Sequence, residues 1–288
     1  MSIITGPIKK IYTKKRIISL QVQNKVMYFY LQRNLMKRFG RYLVKGRFIS
    51  FKTSEESRII NKYKVHQVEH FIKIIMQRHR KQVVYYDISI VQEGIRNLLE
   101  KDSFRMFLDL ELSMHPYYKS RNFVQEIIQS GIVIEDSTGN IVESTFDFVK
   151  PVKFPRITNR TEKFLKITQE QVDSGIEAKE YHVKLKYLME KYDPVIIVWG
   201  KNDIIALRDL ARIINLEIIT PREKFINLLQ LHKNYFNLKN DIGLFRCYES
   251  YGFELEEQSH NALEDAKITR LIYHQFIEVC NNRKYISI

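Results

Sequence analysis

Along the first 75 positions, apolar and polar residues alternate in short runs. Ile17-Ile18-Ser19-Leu20-Gln21-Val22-Gln23 leads through Asn24-Lys25 into Val26-Met27-Tyr28-Phe29-Tyr30-Leu31. That is the period-2 pattern of a hairpin with a polar turn. A polar, basic stretch over 32–41 separates it from a run over 42–51, in which Gly46 suits a bulge or sharp bend. A loop over 53–57 precedes Tyr63-Lys64-Val65-His66-Gln67-Val68, again alternating. Four or five strands in this length predict a small β-barrel, with an OB-like barrel as the first expectation. Residues 69–104 read as helical or connecting. Asp87-Ile88-Ser89 opens a helix that carries Ile90, Val91, Ile95, Leu98 and Leu99 at helical spacing.

The pattern changes at Arg105. Residues 105–111 read as a buried strand, 124–134 and 141–148 as two more, with a turn at 136–140. Thr168 with Gln171 three residues on predicts a capped helix start. Helices are expected over about 178–192, 203–214 and 262–280, with a short apolar strand over 194–199. Strands then alternating with helices indicate an α/β fold. The expected organisation is a basic barrel over 1–75, a helical linker over 76–104 and an α/β domain over 105–288.

Charge sharpens this division. The chain carries a formal +14, yet residues 1–104 hold 22 Lys+Arg against 7 Asp+Glu while 105–288 hold 25 against 26. The excess belongs to the first third, as in a polyanion-binding module joined to something else. Nucleic acid is the leading polyanion. An anionic membrane surface is set aside, because no basic amphipathic helix is present. Tyr28, Phe29, Tyr30, Phe39, Tyr42, Phe48, Phe51 and Tyr63 are interleaved with lysines and arginines, as stacking platforms beside a phosphate-binding groove would be. The same aromatics also suit a barrel core. Strand alternation puts Lys45, Arg47, Ile49 and Phe51 on one face, which makes Lys45 and Arg47 candidate substrate contacts. The two cysteines, Cys247 and Cys280, lack metal-ligand spacing and read as small apolar residues. With no signal peptide and no apolar run near 20 residues, a cytoplasmic location is expected.

The candidate chemistry is acidic. Asp109 and Glu111 lie two apart on a strand and share one face, with Leu108 and Leu110 on the other. Paired buried carboxylates repel and lose hydration, and a cation between them relieves both costs. Asp203 follows the apolar strand at the end where α/β sheets bind ligands, although by itself an acid there is more commonly a helix cap. Ser259-His260-Asn261-Ala262-Leu263-Glu264-Asp265-Ala266 sets a histidine and an acid at the start of a long helix. Hard divalent cations prefer such oxygen ligands, and a neutral imidazole can take a proton from water near neutral pH.

The order Asp109-Leu110-Glu111, then Asp203, then His260-x4-Asp265-Ala266 resembles the DEDDh branch of the DnaQ-like (RNase H-like) 3′–5′ exonucleases. Phe164-Leu165-Lys166-Ile167-Thr168 resembles the family's Leu-Thr-Gly-Ile-Thr segment, and Trp199-Gly200-x-x-Asp203 looks like that of members that trim RNA. The likeness covers about 104–281. It implies an RNase H-like mixed sheet flanked by helices, and two divalent cations, Mg²⁺ or Mn²⁺. Asp109 would bridge both ions, Glu111 and Asp265 would complete the nucleophile-side ion, Asp203 would serve the other, and His260 would be the general base. Leu112 and Met114 would touch the terminal nucleotide. Leu112-Ser113-Met114 and Lys166 depart from the usual small residues and glycine, which bears on pocket shape. The resemblance implies removal of nucleoside 5′-monophosphates from the 3′ end of single-stranded nucleic acid, RNA in preference to DNA. The alternatives are DNA trimming or proofreading, and a nucleic-acid-binding protein with a degenerate nuclease domain.

Overall fold

The computed structural model describes residues 2–78, 81–117, 123–254 and 260–282; Ser259 of the histidine motif lies outside them. The chain divides into two compact units, Met1–Gly94 and Ile95–Ile288. Among the described residues no helix is long and apolar enough to cross a membrane.

The first unit contains β1 (Ser2–Tyr12), β2 (Ile17–Val22), β3 (Lys25–Leu31), α1 (Arg33–Phe39), β4 (Phe48–Ile60), β5 (Tyr63–Arg78) and β6 (Lys81–Asp87). β1 pairs antiparallel with β2 and β4, β2 with β3, and β4 with β5, while β3 pairs parallel with β5. The pairings therefore run in a closed circuit, β1-β2-β3-β5-β4 and back to β1. β6 adds outside β5.

The hairpin of β2 and β3 forms as the alternation predicts. β1 does not announce itself, because Gly6-Pro7 are poor strand formers. Gly6 is nonetheless required there: a Cβ would lie 2.5 Å from the Gln21 carbonyl oxygen. The expected loop at 53–57 lies inside β4, where the β4–β5 ladder shifts register between Thr53 and Ser57. The strand expected from Tyr42 begins only at Phe48, after a turn with Gly46 at φ 86°.

Residues 69–78 and 81–87, expected to be helical or connecting, are strand. Val65, Val68, Phe71 and Ile74 are buried at intervals of three, which mimics a helix face. Register shifts in the β4–β5 ladder produce that interval, since each extra residue reverses which face the next side chain meets. Phe29, Phe51 and Phe71 meet edge to face at 5.0 and 5.9 Å in the core. Full burial stabilises each by about 1.5–3 kcal/mol, which decides for Phe29 and Phe51 the role of core over surface platform. Ile49 is buried with Phe51, so the mixed basic and aromatic face does not form. Lys45 is exposed in the turn, and Arg47 lies 3.6 Å over the Tyr85 ring while donating to the Tyr42 carbonyl at 2.6 Å.

α2 (Ile88–Leu99) starts where expected: Asp87 Oδ1 accepts from the Ser89 amide at 3.0 Å. The second unit continues with β7 (Arg105–Leu112), β8 (Ile127–Glu135), β9 (Ile141–Lys150), α3 (Asn159–Leu165), α4 (Gln169–Asp173), β10 (Ile176–Glu177), α5 (Ala178–Tyr192) and β11 (Val195–Val198). It ends with α6 (Asn202–Ile213), β12 (Phe225–Asn227), α7 (Leu228–Phe236), α8 (Leu244–Ser250) and α9 (Ala262–Asn282). The sheet order is β10-β9-β8-β7-β11-β12. β7, β8 and β9 are antiparallel and the remaining pairs parallel, a mixed sheet flanked by helices as in RNase H-like folds.

Strand alternation decides which helices meet which face. Met106, Leu108 and Leu110 pack with Tyr181, Leu185 and Leu188 of α5 and Leu207 and Leu210 of α6. On the other face Phe107 meets Tyr273 of α9 at 5.4 Å. α9 is also tied down by a buried acid. Glu135 at the end of β8 accepts from Arg105 Nε (2.6 Å) and from Arg270 Nε (2.6 Å) and His274 Nε2 (2.8 Å) of α9. Burial alone would raise the Glu135 pKa, but His274 and Arg105 outweigh it and hold the carboxyl below its usual range. Cys247 and Cys280 are buried and unpaired in α8 and α9, as expected.

Candidate active site

β7 supplies the first two acids. Asp109 and Glu111 project from the face opposite Leu108 and Leu110, as the two-residue spacing predicts. β11 pairs with β7 only as far as Ile197 opposite Phe107. Beyond that point the Leu110 amide donates to Asp203 Oδ1 at 3.2 Å. Asp203 is thus drawn to the strand bearing the other acids. It is the second residue of α6, whose cap position is Lys201, so it does not serve as the helix cap. Gly200, at φ 111°, makes the turn from β11 into α6.

α9 supplies the rest. In the β7–β8 ladder Gly131 stands opposite Asp109. A Cβ on Gly131 would lie 2.2 Å from the Ala262 carbonyl group and the Leu263 amide nitrogen. The first turn of α9 therefore rests backbone to backbone on β8. The Ala262 amide donates to Gln129 Oε1 at 2.8 Å, and Ala262 and Ala266 are fully buried. This seating brings one ligand atom each from Glu111, His260 and Asp265 within 4.8 Å of one another. His260 Nδ1 lies 4.0 Å from Glu111 Oε1. The imidazole stacks on Phe164 at 4.8 Å and meets Phe245 edge-on at 6.0 Å.

The electrostatics mark this cluster apart from Glu135. Desolvation raises the Asp109 carboxyl well above its usual range, and the charges of Asp203, Asp265 and Glu111 push the same way. Asp109 keeps some solvent access on its open side, yet the surrounding protein dominates. Burial, then Asp265 and Asp203, raise Glu111 to about 8. Burial, then Glu264, raise Asp265 to about 7. Burial lifts Asp203 to about 6, opposed by amide donors including Leu110. Asp265 Oδ1 is buried without a hydrogen-bond partner. Four oxygen-bearing acids, one with an orphaned buried oxygen and with no lysine or arginine among the described residues balancing them, fit a hard divalent cation.

The segment after β7 is held by α3. The Met114 amide donates to Thr161 Oγ1 at 2.9 Å, and Thr158 Oγ1 donates to the Met114 carbonyl at 3.0 Å. Leu112 packs against the core of the sheet, and Met114 is half-buried. Lys166 occupies the left-handed position that ends α3 (φ 56°), where a glycine would be unstrained. Thr168 and Gln171 form the expected capping box. Lys45 and Arg47 belong to the first unit. Four supporting residues are absent from the sequence reading: Gln129, Gly131, Phe164 as the partner of His260, and Phe245. A lone glycine inside an apolar strand is itself a signal of close backbone approach, and Gly131 carries it.

Comparison with known proteins agrees with this geometry. The RNase T family model, described as exonuclease, matches residues 106–273. The probable 3′–5′ exonuclease KapD of Bacillus subtilis is 35% identical over 186 residues, covering 63% of this chain and 87% of KapD. The nuclease domain of 3′hExo, a DEDDh family member solved with rAMP, superposes with a TM-score of 0.54 at 20% identity, over 65% of this chain and 96% of that one. Cell-death related nuclease 4 (CRN-4) gives 0.52 at 18% identity, over 64% of this chain and 66% of its own.

Gly131→Ala tests the seating of α9. Its Cβ would meet backbone, which cannot swing aside, so about 1–3 kcal/mol of overpacking is expected. Displacing His260 and Asp265 by about 1 Å should cost roughly 100-fold in turnover. Thermal melting and 3′-release kinetics on the same preparation check this; wild-type turnover would show that Gly131 does not set the site. The chain belongs to the exonuclease family, as a DnaQ-like 3′–5′ exonuclease.

Proposed function

We propose that the chain removes nucleotides one at a time from the 3′ end of single-stranded RNA, releasing nucleoside 5′-monophosphates, with Asp109, Glu111, Asp203 and Asp265 holding two divalent cations, Mg²⁺ or Mn²⁺. The observation that carries the reading is the convergence of Glu111 and Asp265 with His260, seated by Gly131, with Asp109 on the same strand face as Glu111 and Asp203 held by the Leu110 amide. The cations, when bound, stabilise the attacking and leaving oxygens of the phosphodiester. His260 acts as general base: it accepts a proton from the attacking water, and the strand leaves with a free 3′-hydroxyl. Glu111 beside Nδ1 and the Phe164 ring orient the imidazole. RNA as substrate rests on the likeness of Trp199-Gly200 to RNA-trimming members; single-stranded DNA is the second reading.

Matched RNA and DNA strands labelled at either end decide between these readings. Early release of label from the 3′ end, faster from RNA and abolished by chelator or by Asp109→Asn, is expected. His260→Ala should lower turnover by about 10²–10⁴-fold. Release that persists in chelator overturns the cation mechanism, and faster DNA digestion overturns the RNA preference.

The first unit we read as an OB-like barrel that captures the strand. The closed circuit of five strands, with α1 between β3 and β4, supports the barrel. Half-buried Tyr12 and Tyr28 each pack tilted against Tyr63, at 5.3 and 4.7 Å, with Lys15 5.5 Å over Tyr63 and Arg16 and Arg58 over Tyr30. Beside them a groove of about 700 Å³ is lined by Lys14, Arg16, Arg33, Lys37 and Arg41 and by no acid. Such pairing of aromatic faces with cations suits single strands. Replacing Lys14, Arg33 and Lys37 with glutamate should weaken binding of long strands at least tenfold. It should also reduce the salt slope by about 0.7 for each phosphate that is no longer neutralised. Unchanged affinity and slope in a filter-binding titration would reject the capture role.

A further inference from the structure

A second cavity, of about 400 Å³, opens in the second unit away from the carboxylates. Tyr117, Phe123, Phe154, Arg156, Asn159 and Arg160 are among its lining residues, and none of the lining residues is acidic. Phe123 and Phe154 lie 5.0 Å apart, and His115 extends this wall at 4.7 Å from Phe123. Arg160 sits 6.0 Å over the exposed Tyr117 ring. Arg156 is exposed, and neither arginine has an acid partner among the described residues. Aromatic walls accept the face of any base, while a guanidinium takes a phosphate through paired donors. The volume falls in the range of about 300–1,000 Å³ typical of small-ligand sites. Aromatic side chains left half-open beside these two guanidiniums forgo burial that a purely structural patch would complete.

The cavity is tied to the catalytic cluster by α3. Asn159 and Arg160 at its start line the cavity, and Phe164 near its end stacks on His260. The five steps from Asn159 to Phe164, at about 1.5 Å rise each, span about 7.5 Å, a little over two stacked-base rises of roughly 3.4 Å. Thr158 and Thr161 fix this helix to Met114, so cavity and site are held at a set separation.

We infer that this cavity binds one internal nucleotide of the strand whose 3′ end occupies the catalytic cluster, the third or fourth from that end. Phe123 and Phe154 take the base, and Arg156 and Arg160 take the adjoining phosphate. The inference rests on the exonuclease reading and adds to it a minimum strand length. Strands too short to reach the cavity are held by the terminal contacts alone, and contacts beyond it in this unit add little.

Oligonucleotides of two to eight residues test this with the full chain. kcat/KM is expected to rise at least tenfold between the dimer and the pentamer and then level off. In the Arg156→Ala/Arg160→Ala double variant the pentamer-to-dimer ratio should fall below threefold. A binding readout runs beside it without turnover. In an Asp109→Asn background, 2-aminopurine placed fourth from the 3′ end should be quenched on binding. Adding the two arginine substitutions or Phe154→Ala should abolish the quenching. An unchanged length ratio in the double variant, or quenching that survives these substitutions, overturns the inference. Failure to release 3′ nucleotides from any length would instead overturn the exonuclease reading, and the quenching comparison would still decide the cavity.

Discussion

The close approach of β8 to the first turn of α9 at Gly131 is the constraint on which the site depends. No side chain separates the two backbones there. Because Gly131 stands opposite Asp109 in the ladder, the helix start is set directly beside the acidic strand. Gln129 fixes the same turn through the Ala262 amide, and the Glu135 cluster anchors α9 farther along through Arg270 and His274. Two attachments along one helix leave little freedom in where Asp265 and His260 fall. On the far side, the Leu110 amide holds Asp203 where β11 has ended.

The molecule buries acids in two different ways, and the contrast explains their roles. Glu135 is surrounded by three nitrogen donors and is held ionised. Its charge is satisfied by the protein, so it serves the fold. Asp109, Glu111, Asp203 and Asp265 are raised first by burial, Asp109 and Glu111 also by their acidic neighbours, and no lysine or arginine among the described residues pairs with them. A protein that gained only stability from these groups would be better served by pairing them or by apolar replacements. Their clustering has a physical rationale when positive charge comes from outside the chain. Desolvation, which penalises the bare carboxylates, is also what strengthens their hold on a cation.

Much of this is legible in the sequence, for reasons that differ by residue. Asp109 and Glu111 share a face because strand geometry has a period of two, and His260 and Asp265 lie close in sequence at a helix start; both pairs are local. Asp203 is ambiguous there because an acid near a helix start is more commonly a cap than a ligand, and the Leu110 contact that separates the readings is tertiary. Gly131 is visible but its partner is not, since Ala262 is more than a hundred residues away. In the first unit the reading of 69–78 as helical or connecting has a register cause. Alternation assumes an unbroken ladder, and register shifts in the β4–β5 ladder give β5 a three-residue burial interval that resembles a helix. Ile49 and Phe51 keep the period-2 alternation of β4 and face the core, while Lys45 and Arg47 precede the strand and so never share that face.

The most direct test of the central claim, that seated acids form a cation site, is crystallography of the chain soaked in Mn²⁺ with anomalous diffraction. The account predicts Mn²⁺ peaks within bonding distance, about 2.0–2.6 Å, of carboxylate oxygens of Asp109, Glu111, Asp203 and Asp265. A saturated crystal with no anomalous density among those four carboxylates would contradict it.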